Sequence, residues 1–378
     1  MTSTTIGIAG AGQLGAYLCR AARDLGVRTV LLASRADEIA IPLADDVLIG
    51  PMADLALFDA LAQRCDVVTY EREDLPVAAL DRLEQHEAAG IARIAPSTRI
   101  LRTLQNKATQ KAWLTEQGLP TAPFVTFDAG LDRDAASRRF GDRYVVKSQR
   151  GGYDGQGVAI VRDGVGAEHY GDTPCIVEAY VRNRQEFATL LARTPNGEHA
   201  IYPPLETTFY EAGNVLRQVI CPSALDATQA ARAIELGVAV VDGLDAVGVF
   251  AIELFLSEGE LLINEISPRV HNTGHLTIEG HNTSQFEQHV RAIAGLPLGD
   301  ISPRSGGAAM NNLLFEPAIE RACVDGLTLD APDVHVHWYG KSDPRPGRKM
   351  GHLTTLAEDG ASAAASADAA FEQLGDYK

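Results

Sequence analysis

The sequence predicts an α/β chain that opens with a doubly wound parallel sheet and continues into domains of mixed α+β structure. Apolar runs with strand character alternate with helix-period segments over roughly the first hundred residues. A glycine-rich turn, residues 10–15, joins the first strand to the first helix. In the second half of the chain, β-branched runs follow one another with glycine-containing turns between them, which is typical of antiparallel strands.

The elements of the opening domain follow in order. Strands are predicted at Thr5–Ala9, residues 27–32, Asp46–Ile49 and Val67–Tyr70, with a helix over residues 14–25. The turn between the first strand and this helix has the sequence GAGQLG. In a doubly wound sheet, ligands bind at the carboxyl ends of the strands, where glycines let a phosphate approach a helix N-terminus.

The same turn is also compatible with a nicotinamide-dependent oxidoreductase. NAD enzymes have an acidic residue after the second strand, whereas this chain has Ser34 and Arg35, which would suit the 2′-phosphate of NADP. An NADP enzyme is therefore an alternative. Nothing further along the chain is typical of hydride transfer.

Composition limits the classes of function. The chain has 378 residues, 46% of them hydrophobic, which is enough for two or three domains with sizeable cores. A net charge of −17 argues against sequence-independent nucleic-acid binding. No apolar run is long enough to cross a membrane. The five cysteines form no CxxC pair and no signal peptide is evident, so we expect a reducing cytoplasm.

Two glutamates near the middle of the chain give the strongest indication of chemistry. Glu253 and Glu265 lie in neighbouring strand-like runs, with a turn at Gly259 between them. Adjacent antiparallel strands would place the carboxylates side by side, where they repel unless a cation such as Mg²⁺ lies between them. A hairpin with two solvated acids is the alternative. Against it, further polar side chains crowd this segment: Asn264, Arg269, His271, Asn272 and His275.

A second indication of nucleotide binding comes earlier in the chain. Lys147 lies near the end of a predicted strand and precedes the glycine-rich segment 150–157, which another strand follows. Backbone N–H groups of such a flap can fold over phosphates that the lysine also contacts. A flexible hairpin is the alternative. Lys107 and Lys111 share one face of a predicted helix, which by itself fits a solvated surface better.

Two more glutamates follow the flap. Glu178 lies in a predicted strand that leads into a connector, and Glu186 comes shortly afterwards. Backbone groups of the connector could contact an adenine edge while a carboxylate binds ribose hydroxyls. The spacing alone only suggests this, but the whole order of lysines, flap and glutamates is hard to explain as coincidence.

With these features the chain resembles the ATP-grasp superfamily and, within it, the N5-carboxyaminoimidazole ribonucleotide synthase family of bacterial and fungal purine synthesis. The resemblance runs nearly end to end. Its motifs are GAGQLG at 10–15, TYEREDLP at 69–76, KSQRGGYDGQG at 147–157, INEISPRVHNTGHLT at 263–277 and WYGKSDPRPGRKMGH at 338–352. It implies a doubly wound pre-ATP-grasp domain (1–100), a two-lobed ATP-grasp domain (101–300) and a small β-rich domain with an Ala-rich tail (301–378).

The resemblance also implies a reaction. Enzymes of the family use ATP, Mg²⁺ and bicarbonate to form carboxyphosphate. This intermediate, or the CO₂ that it releases, carboxylates the amino group of aminoimidazole ribonucleotide, and ADP and phosphate are released. Partners are thus expected to be small molecules rather than nucleic acid or membrane, and the family tends to form homodimers. A paralogous ATP-grasp ligase acting on a different amine is the main alternative.

Residues that match the family's functional positions fall into four groups. Those for the nucleotide are Lys107, Lys111, Lys147, Gly151, Gly152, Gly155, Gly157, Glu178, Ala179, Tyr180, Val181, Glu186, Asn264 and Glu265. Those for the metal are Glu253 and Glu265. Those for the ribonucleotide are Gly12, Gln13, Leu14, Glu71, Glu73, Lys341 and Arg348. Those expected near the reacting groups are Tyr153, Asp154, Arg269, His271 and Asn272.

One stretch departs from the family pattern. The family commonly has Asn-x-His after a Tyr-Pro strand, whereas this chain has Thr207 and Phe209 at those places. Drift, with compensation by neighbouring residues, would leave the acceptor unchanged, whereas a paralogue would use another amine. The Ala/Ser-rich tail from Leu356 is expected to form a peripheral helix with a loose end and no chemistry of its own.

Overall fold

In the computed structural model, the described residues, 4–152, 157–210, 215–327, 329 and 333–377, form three sheets. The first contains β1 (Thr5–Ala9), β2 (Arg28–Ala33), β3 (Asp46–Ile49), β4 (Val67–Tyr70) and β5 (Arg93–Ile94). All pair in parallel, in the order β3-β2-β1-β4-β5. The predicted doubly wound sheet is confirmed. Strand β2 is shifted by one residue, and β5 was not predicted because two residues carry no periodicity.

The helices that cover this sheet are α1 (Gln13–Asp24), α2 (Leu55–Arg64) and α3 (Val77–Ala88), and α4 (Thr98–Leu104) leads out of the domain. Helix α1 buries Leu14, Leu18 and Ala22 among the apolar strand residues. Each large aliphatic side chain buried in this way contributes about 1.5–3 kcal/mol. Helix α1 lies one residue earlier than the predicted helix over residues 14–25, and α2, α3 and α4 were not predicted from the sequence.

The second sheet is small and antiparallel. Its strands are β6 (Phe124–Phe127), β7 (Arg143–Ser148), β8 (Val158–Arg162) and β9 (Cys175–Ala179), in the order β6-β9-β7-β8. Helices α5 (Lys107–Glu116) and α6 (Arg133–Phe140) pack against it. The side chain of Asn106 caps α5 by accepting the N–H groups of Ala108 and Thr109. This cap fixes where the helix begins and therefore where Lys107 lies.

The third sheet has nine strands. They are β10 (Gln185–Arg193), β11 (His199–Ile201), β12 (Leu205–Phe209), β13 (Leu216–Cys221), β14 (Gly248–Ser257), β15 (Glu260–Ser267), β16 (Gly307–Leu314), β17 (Val334–Trp338) and β18 (Lys349–Ala357). The order is β15-β14-β10-β12-β13-β16-β18-β17, and β11 pairs with β10. Strand β16 pairs with β13, so the sheet continues across residue 300, where the sequence led us to expect a domain boundary.

The remaining helices are α7 (Ala227–Gly243), α8 (Thr277–Gly280), α9 (Gln285–Ala294), α10 (Pro317–Asp325) and α11 (Gly360–Gly375). Helix α11 corrects the expectation of a peripheral tail. Ala363, Ala367 and Ala370 are fully buried against β16 and β18, because their small side chains let the helix lie close to the sheet. Among the described residues, no helix combines the length and apolar character needed to span a bilayer.

Candidate active site

Glu253 on β14 and Glu265 on β15 lie opposite each other in the strand register, as the sequence predicted. The register shifts immediately after this pair, because Leu254 pairs with Ile263 and Asn264 is left as the extra residue of a β-bulge. The bulge lets Asn264 reach the carboxylates: its Nδ2 donates to Glu253 Oε2 over 3.1 Å. Three oxygen-bearing side chains therefore converge at this point.

The two carboxylates have different electrostatic surroundings. Burial, followed by the negative charges of Glu265 and Glu186, raises the pKa of Glu253 to about 7. Burial also acts to raise the pKa of Glu265, but the charges of Lys107 and Lys147 outweigh it and hold that pKa below its usual range. Lys107 Nζ forms a short ion pair with Glu265 Oε1. Two oxygen-donor groups that repel each other fit a hard divalent cation such as Mg²⁺.

Two lysines meet on one buried carboxylate close to this pair. Lys147 Nζ lies 2.7 Å from Glu178 Oε2, and Lys111 Nζ lies 3.0 Å from Glu178 Oε1. The Lys111 side chain is only 2% exposed, so a solvated lysine face is wrong for this residue. Burial lowers the pKa of Lys111 to about 8. Burial acts to raise the pKa of Glu178, yet Lys111 and Lys147 together lower it to about 2.

Lys147 connects this triad to the carboxylate pair. Its Nζ donates to Asn264 Oδ1 over 2.8 Å. Just beyond Lys147, the oxygen of Gln149 accepts the N–H of Lys107 over 2.8 Å. That backbone contact joins the end of β7 to the start of α5, and so brings both lysines to the same group of carboxylates.

The glycine-rich segment begins directly after these contacts. Gly151, Gly152 and Gly157 have φ values of 69°, 85° and 78°, which L-residues rarely adopt, so glycine is needed for the path of the chain here. Three other predicted site residues lie outside the described residues: Tyr153, Asp154 and Gly155. The flap therefore stays a prediction.

The expected adenine connector, residues 178–181, begins with the last two residues of β9 and continues beyond the strand. The carboxylate of Glu178 contacts the two lysines. Only the backbone of this residue is therefore available to contact an adenine edge. The N–H of Ala179 donates to Pro123 O over 2.8 Å. The guanidinium of Arg143 lies 3.6 Å from the centroid of the Tyr180 ring, and Val181 is partly exposed. Tyr180 is thus held within the connector by a cation–π contact.

Glu186 on β10 shares a face with the carboxylate pair. Ala188 lies opposite Glu253, and side chains alternate along a strand, so Glu186 points to the same side as Glu253. Thr207 on β12 lies opposite Glu186. One of the two departures from the family pattern is therefore adjacent to the predicted ribose ligand, and Phe209 ends the same strand.

The segment after Glu265 links the carboxylate pair to the first domain. Arg269 Nη2 lies 2.9 Å from Glu73 Oε1, just beyond β4. His271 Nε2 lies 3.8 Å from Glu253 Oε1. Arg269 and His271 are thus placed between the predicted metal ligands and the predicted ribonucleotide residues.

Two other polar residues of this segment make contacts with the C-terminal strands. The amides of Asn272 and Asn312 exchange two hydrogen bonds of 3.0 and 2.7 Å. His275 is fully buried, and burial holds its pKa well below the usual range. Its ring packs 4.9 Å from that of His352. The high density of polar residues noted in the sequence therefore reflects a junction of strands as well as a site.

The glycine turn before α1 holds a carboxylate that belongs to the protein. Glu71 accepts the N–H of Gly12 through Oε1 over 2.7 Å and the N–H of Gly15 through Oε2 over 2.5 Å. Gln13 begins α1, and Leu14 is buried in the core. The sequence led us to expect substrate phosphate or ribose at this turn and Glu71 facing the substrate, whereas the structure joins the turn and Glu71 to each other.

Lys341 and Arg348, which were expected at the ribonucleotide, lie in the segment 339–348 between β17 and β18, called the cationic turn. Lys341 Nζ donates to Lys349 O over 2.7 Å. Arg348 Nη1 lies 3.1 Å from Asp343 Oδ2, and this carboxylate would compete with a bound anion. Ser342 Oγ donates to Asp37 Oδ2 over 2.7 Å, so the turn contacts the loop that follows β2 in the first domain.

Gln110 is a site-forming residue that the sequence did not reveal. It lies on α5 between the two lysines and is 2% exposed. Its side chain accepts the N–H of Ile266 over 3.0 Å and donates to Ile266 O over 3.2 Å. These two bonds fix the strand that carries Glu265 against the helix that carries Lys107. A single glutamine on an amphipathic helix has no distinguishing sequence pattern.

Three family descriptions match successive parts of the chain. They are a ribonucleotide synthetase preATP-grasp domain at residues 3–105, an ATP-grasp domain at 112–286 and a phosphoribosylaminoimidazole carboxylase C-terminal domain at 308–366. They follow the order of domains that the sequence predicted.

Whole-chain relatives agree with these matches. The N5-carboxyaminoimidazole ribonucleotide synthase of Synechococcus elongatus is 36% identical over 375 residues, covering 98% of this chain and 93% of that protein. The Bacillus subtilis protein of the same name is 32% identical, covering 93% and 91%. The structure of N5-carboxyaminoimidazole synthase from Aspergillus clavatus, in complex with ADP and 5-aminoimidazole ribonucleotide, has a TM-score of 0.87 at 29% identity and covers 99% of both chains.

Proposed function

The chain belongs to the N5-carboxyaminoimidazole ribonucleotide synthase family, and from this premise we propose how its residues carry out the reaction. It is an ATP-grasp ligase of purine biosynthesis that carboxylates aminoimidazole ribonucleotide at the expense of ATP. The family membership rules out the oxidoreductase alternative. The use of bicarbonate and Mg²⁺ and the roles of individual residues are the parts that we propose.

The observation that carries these assignments is the group of Lys107, Lys147, Glu253, Asn264 and Glu265. Two cations and two carboxylates, bridged by one amide, offer complementary partners for the phosphates of ATP and for a divalent cation. Glu253 and Glu265 would hold Mg²⁺. When bound, it would neutralise charge on the β- and γ-phosphates during phosphoryl transfer.

Lys107 can exchange its ion-pair partner when nucleotide binds. Its Nζ is paired with Glu265, which is itself a proposed metal ligand. Phosphate oxygens can replace the carboxylate as the partner of Lys107, and Glu265 is then available to the cation. Lys147 stays anchored by Glu178 and Asn264 and presents a fixed positive charge.

Bicarbonate is the proposed nucleophile toward the γ-phosphorus of ATP; the bond to the bridging oxygen breaks, ADP leaves, and the product is carboxyphosphate. Arg269 and His271 lie between the carboxylate pair and Glu73, where they can orient the bicarbonate-derived group. Carboxyphosphate is lost to water unless the site closes. The glycine-rich segment 150–157 is the proposed cover, with Tyr153 and Asp154 toward the acceptor.

The ribonucleotide is proposed to bind between the first domain and the cationic turn. Glu73 can accept from the ribose hydroxyls, and Lys341 and Arg348 can hold the 5′-phosphate. The contact between Ser342 and Asp37 supports this because it brings the turn to the first domain. The amino group of the substrate then attacks the activated carboxyl carbon, the bond from this carbon to the phosphate oxygen breaks, and the departing phosphate can take the proton that the amine loses.

Thr207 and Phe209 are proposed to be neutral substitutions that arose by drift and leave the acceptor unchanged. Thr207 lies beside Glu186 on the nucleotide side of the sheet, so a change there affects ATP rather than the amine. The cellular location and the oligomeric state complete the proposal. The free cysteines support a reducing, cytoplasmic location, and the family resemblance supports a homodimer.

The test is to measure ADP release by the full chain with Mg²⁺, ATP and bicarbonate, with aminoimidazole ribonucleotide or with each of a panel of other amines. We expect ADP release to depend on both bicarbonate and aminoimidazole ribonucleotide. Bicarbonate-independent release would contradict the carboxyphosphate route. A stronger response to another amine would make Thr207 and Phe209 marks of a different acceptor.

A further inference from the structure

Both oxygens of one carboxylate accept hydrogen bonds from the glycine turn of the first domain. Glu71 binds the N–H groups of Gly12 and Gly15, which are separated from it by more than fifty residues in the chain. The backbone of three glycines lies so close to the Glu71 side chain that little or no space is left for a Cβ atom. A Cβ on Gly10 would lie 2.2 Å from Glu71 Cγ, and a Cβ on Gly12 or Gly15 would lie 3.0 or 3.1 Å from its carboxylate oxygens.

The donors that Glu71 occupies belong to an anion site. Free N–H groups at the first turn of a helix, together with the helix dipole, favour a negative group at this place. Gly12, at the N-cap of α1, offers no side chain to satisfy them. Glu71 supplies the missing acceptor from the end of β4, with the paired geometry that two oxygens of a phosphate would otherwise have.

The neighbouring groups that could hold a phosphorylated ribose are engaged as well. The N–H groups of Ser34 and Arg35 both donate to Glu38 Oε1, and the Arg35 side chain pairs with Asp37 over 3.0 Å. A phosphate approaching this turn would meet the carboxylates of Glu71 and Glu38 instead of free donors. Like charges in such proximity repel strongly when they are partly buried.

We propose that Glu71 is a specificity-determining residue that excludes phosphate from the start of α1 and so sets the direction in which the ribonucleotide binds. With that end closed to anions, the 5′-phosphate must lie toward the cationic turn around Lys341, and the ribose lies toward Glu73. This rests on the ribonucleotide site of the proposed function. Glu73 comes two residues after Glu71, just beyond β4, and pairs with Arg269.

The direct test uses inorganic phosphate and the full chain labelled with ¹⁵N-glycine. The amides of Gly12 and Gly15 report on the turn before α1, while those of Gly340 and Gly347 report on the cationic turn. In the wild type we expect phosphate to move only the second pair of signals. In Glu71→Ala we expect the first pair to move as well, in a saturable manner.

The matched control is Asp66→Ala, which removes a carboxylate that accepts a backbone N–H, that of Thr5, at the other end of the same sheet. It should behave like the wild type. Movement of the Gly12 and Gly15 signals in the wild type, or none in folded Glu71→Ala, overturns the exclusion. If instead Gly340 and Gly347 fail to respond, the phosphate placement of the proposed function is wrong while the exclusion by Glu71 stands.

Glu71→Gln tests the same idea in turnover, also in case the alanine variant does not fold. Glutamine keeps the volume, but its oxygen can accept only one of the two N–H groups, and its NH₂ group opposes the other. We expect the apparent KM for aminoimidazole ribonucleotide to rise about tenfold, with the KM for ATP within about twofold of the wild type. Equal changes in both constants would show a general loss of structure and would overturn the specific role.

Discussion

Asn264 and Glu253 are joined across a β-bulge, and the same amide of Asn264 also accepts a hydrogen bond from Lys147. One side chain thereby connects a predicted phosphate ligand to a predicted metal ligand. The regular register would point Asn264 to the opposite face of the sheet from Glu265. The bulge is thus what completes the group.

Replacing Asn264 with alanine should weaken ATP binding. The change leaves Lys147 without one acceptor and Glu253 without its only amide donor among the described contacts. We expect the KM for ATP to rise about tenfold or more, because hydrogen bonds to charged groups contribute about 1.5–3 kcal/mol. The KM for aminoimidazole ribonucleotide should stay nearly constant. Asn196→Ala, in an exposed turn, is the control; equal kinetics in the two variants would contradict the bridging role.

Replacing Glu265 with glutamine should abolish turnover without unfolding the protein. The change removes a proposed metal ligand and the partner of Lys107, while the strand keeps its apolar neighbours. ADP release should fall at least about a hundredfold, while the variant remains folded in a thermal melt. Glu260→Gln, at the exposed start of the same strand, should be fully active. Near-normal ADP release by Glu265→Gln would exclude the metal role.

Glu178 should make the folded state sensitive to acid. Its pKa is lowered from 4.5 to about 2, so the stabilisation that it provides is complete above pH 4.5 and is lost as the pH falls from there toward 2. A shift of this size corresponds to about 3 kcal/mol. Urea unfolding of the wild type at pH 5 and pH 3 measures the loss.

Two variants give this pH dependence its control. Glu178→Gln should be less stable at neutral pH, since it leaves Lys111 and Lys147 buried without their carboxylate, and its stability should change less between pH 5 and pH 3. Glu116→Gln, on the exposed end of α5, should follow the wild type. An unchanged acid slope in Glu178→Gln would mean that another group causes it.

Replacing Arg348 with alanine should affect the acceptor and spare the nucleotide. Loss of one cation from a two-cation phosphate site costs about 1.5–3 kcal/mol, which is roughly ten- to hundredfold in affinity. The apparent KM for aminoimidazole ribonucleotide should rise by about that factor while the KM for ATP stays the same. Arg321→Ala, an exposed arginine on α10, serves as the control. A change in the KM for ATP alone would move Arg348 to the nucleotide site.

Local patterns predicted the parts of the site that depend on regular structure. Glu253 and Glu265 were placed together because two strands and a tight turn fix which residues face each other. The bulge at Asn264 was not predicted, since one extra residue in a strand leaves the pattern of apolar residues nearly unchanged. The contact of Glu71 with the glycine turn was missed for a similar reason. It joins segments far apart in sequence, and a glycine turn has the same sequence pattern whether it holds a phosphate or a carboxylate.

The late position of α11 in the chain determines when the nine-stranded sheet can finish folding during synthesis. The helix carries Asp368, which binds Arg217 of β13, a residue that precedes it by 151 positions. At ribosomal rates of about 5–20 residues per second, β13 waits roughly eight to thirty seconds for this partner. During that interval α11 does not yet exist, so it cannot cover the apolar face of the sheet that it later buries. The parallel sheet of the first domain is made of strands from residues 5–94, whereas the nine-stranded sheet reaches its final state only after α11 has been synthesised.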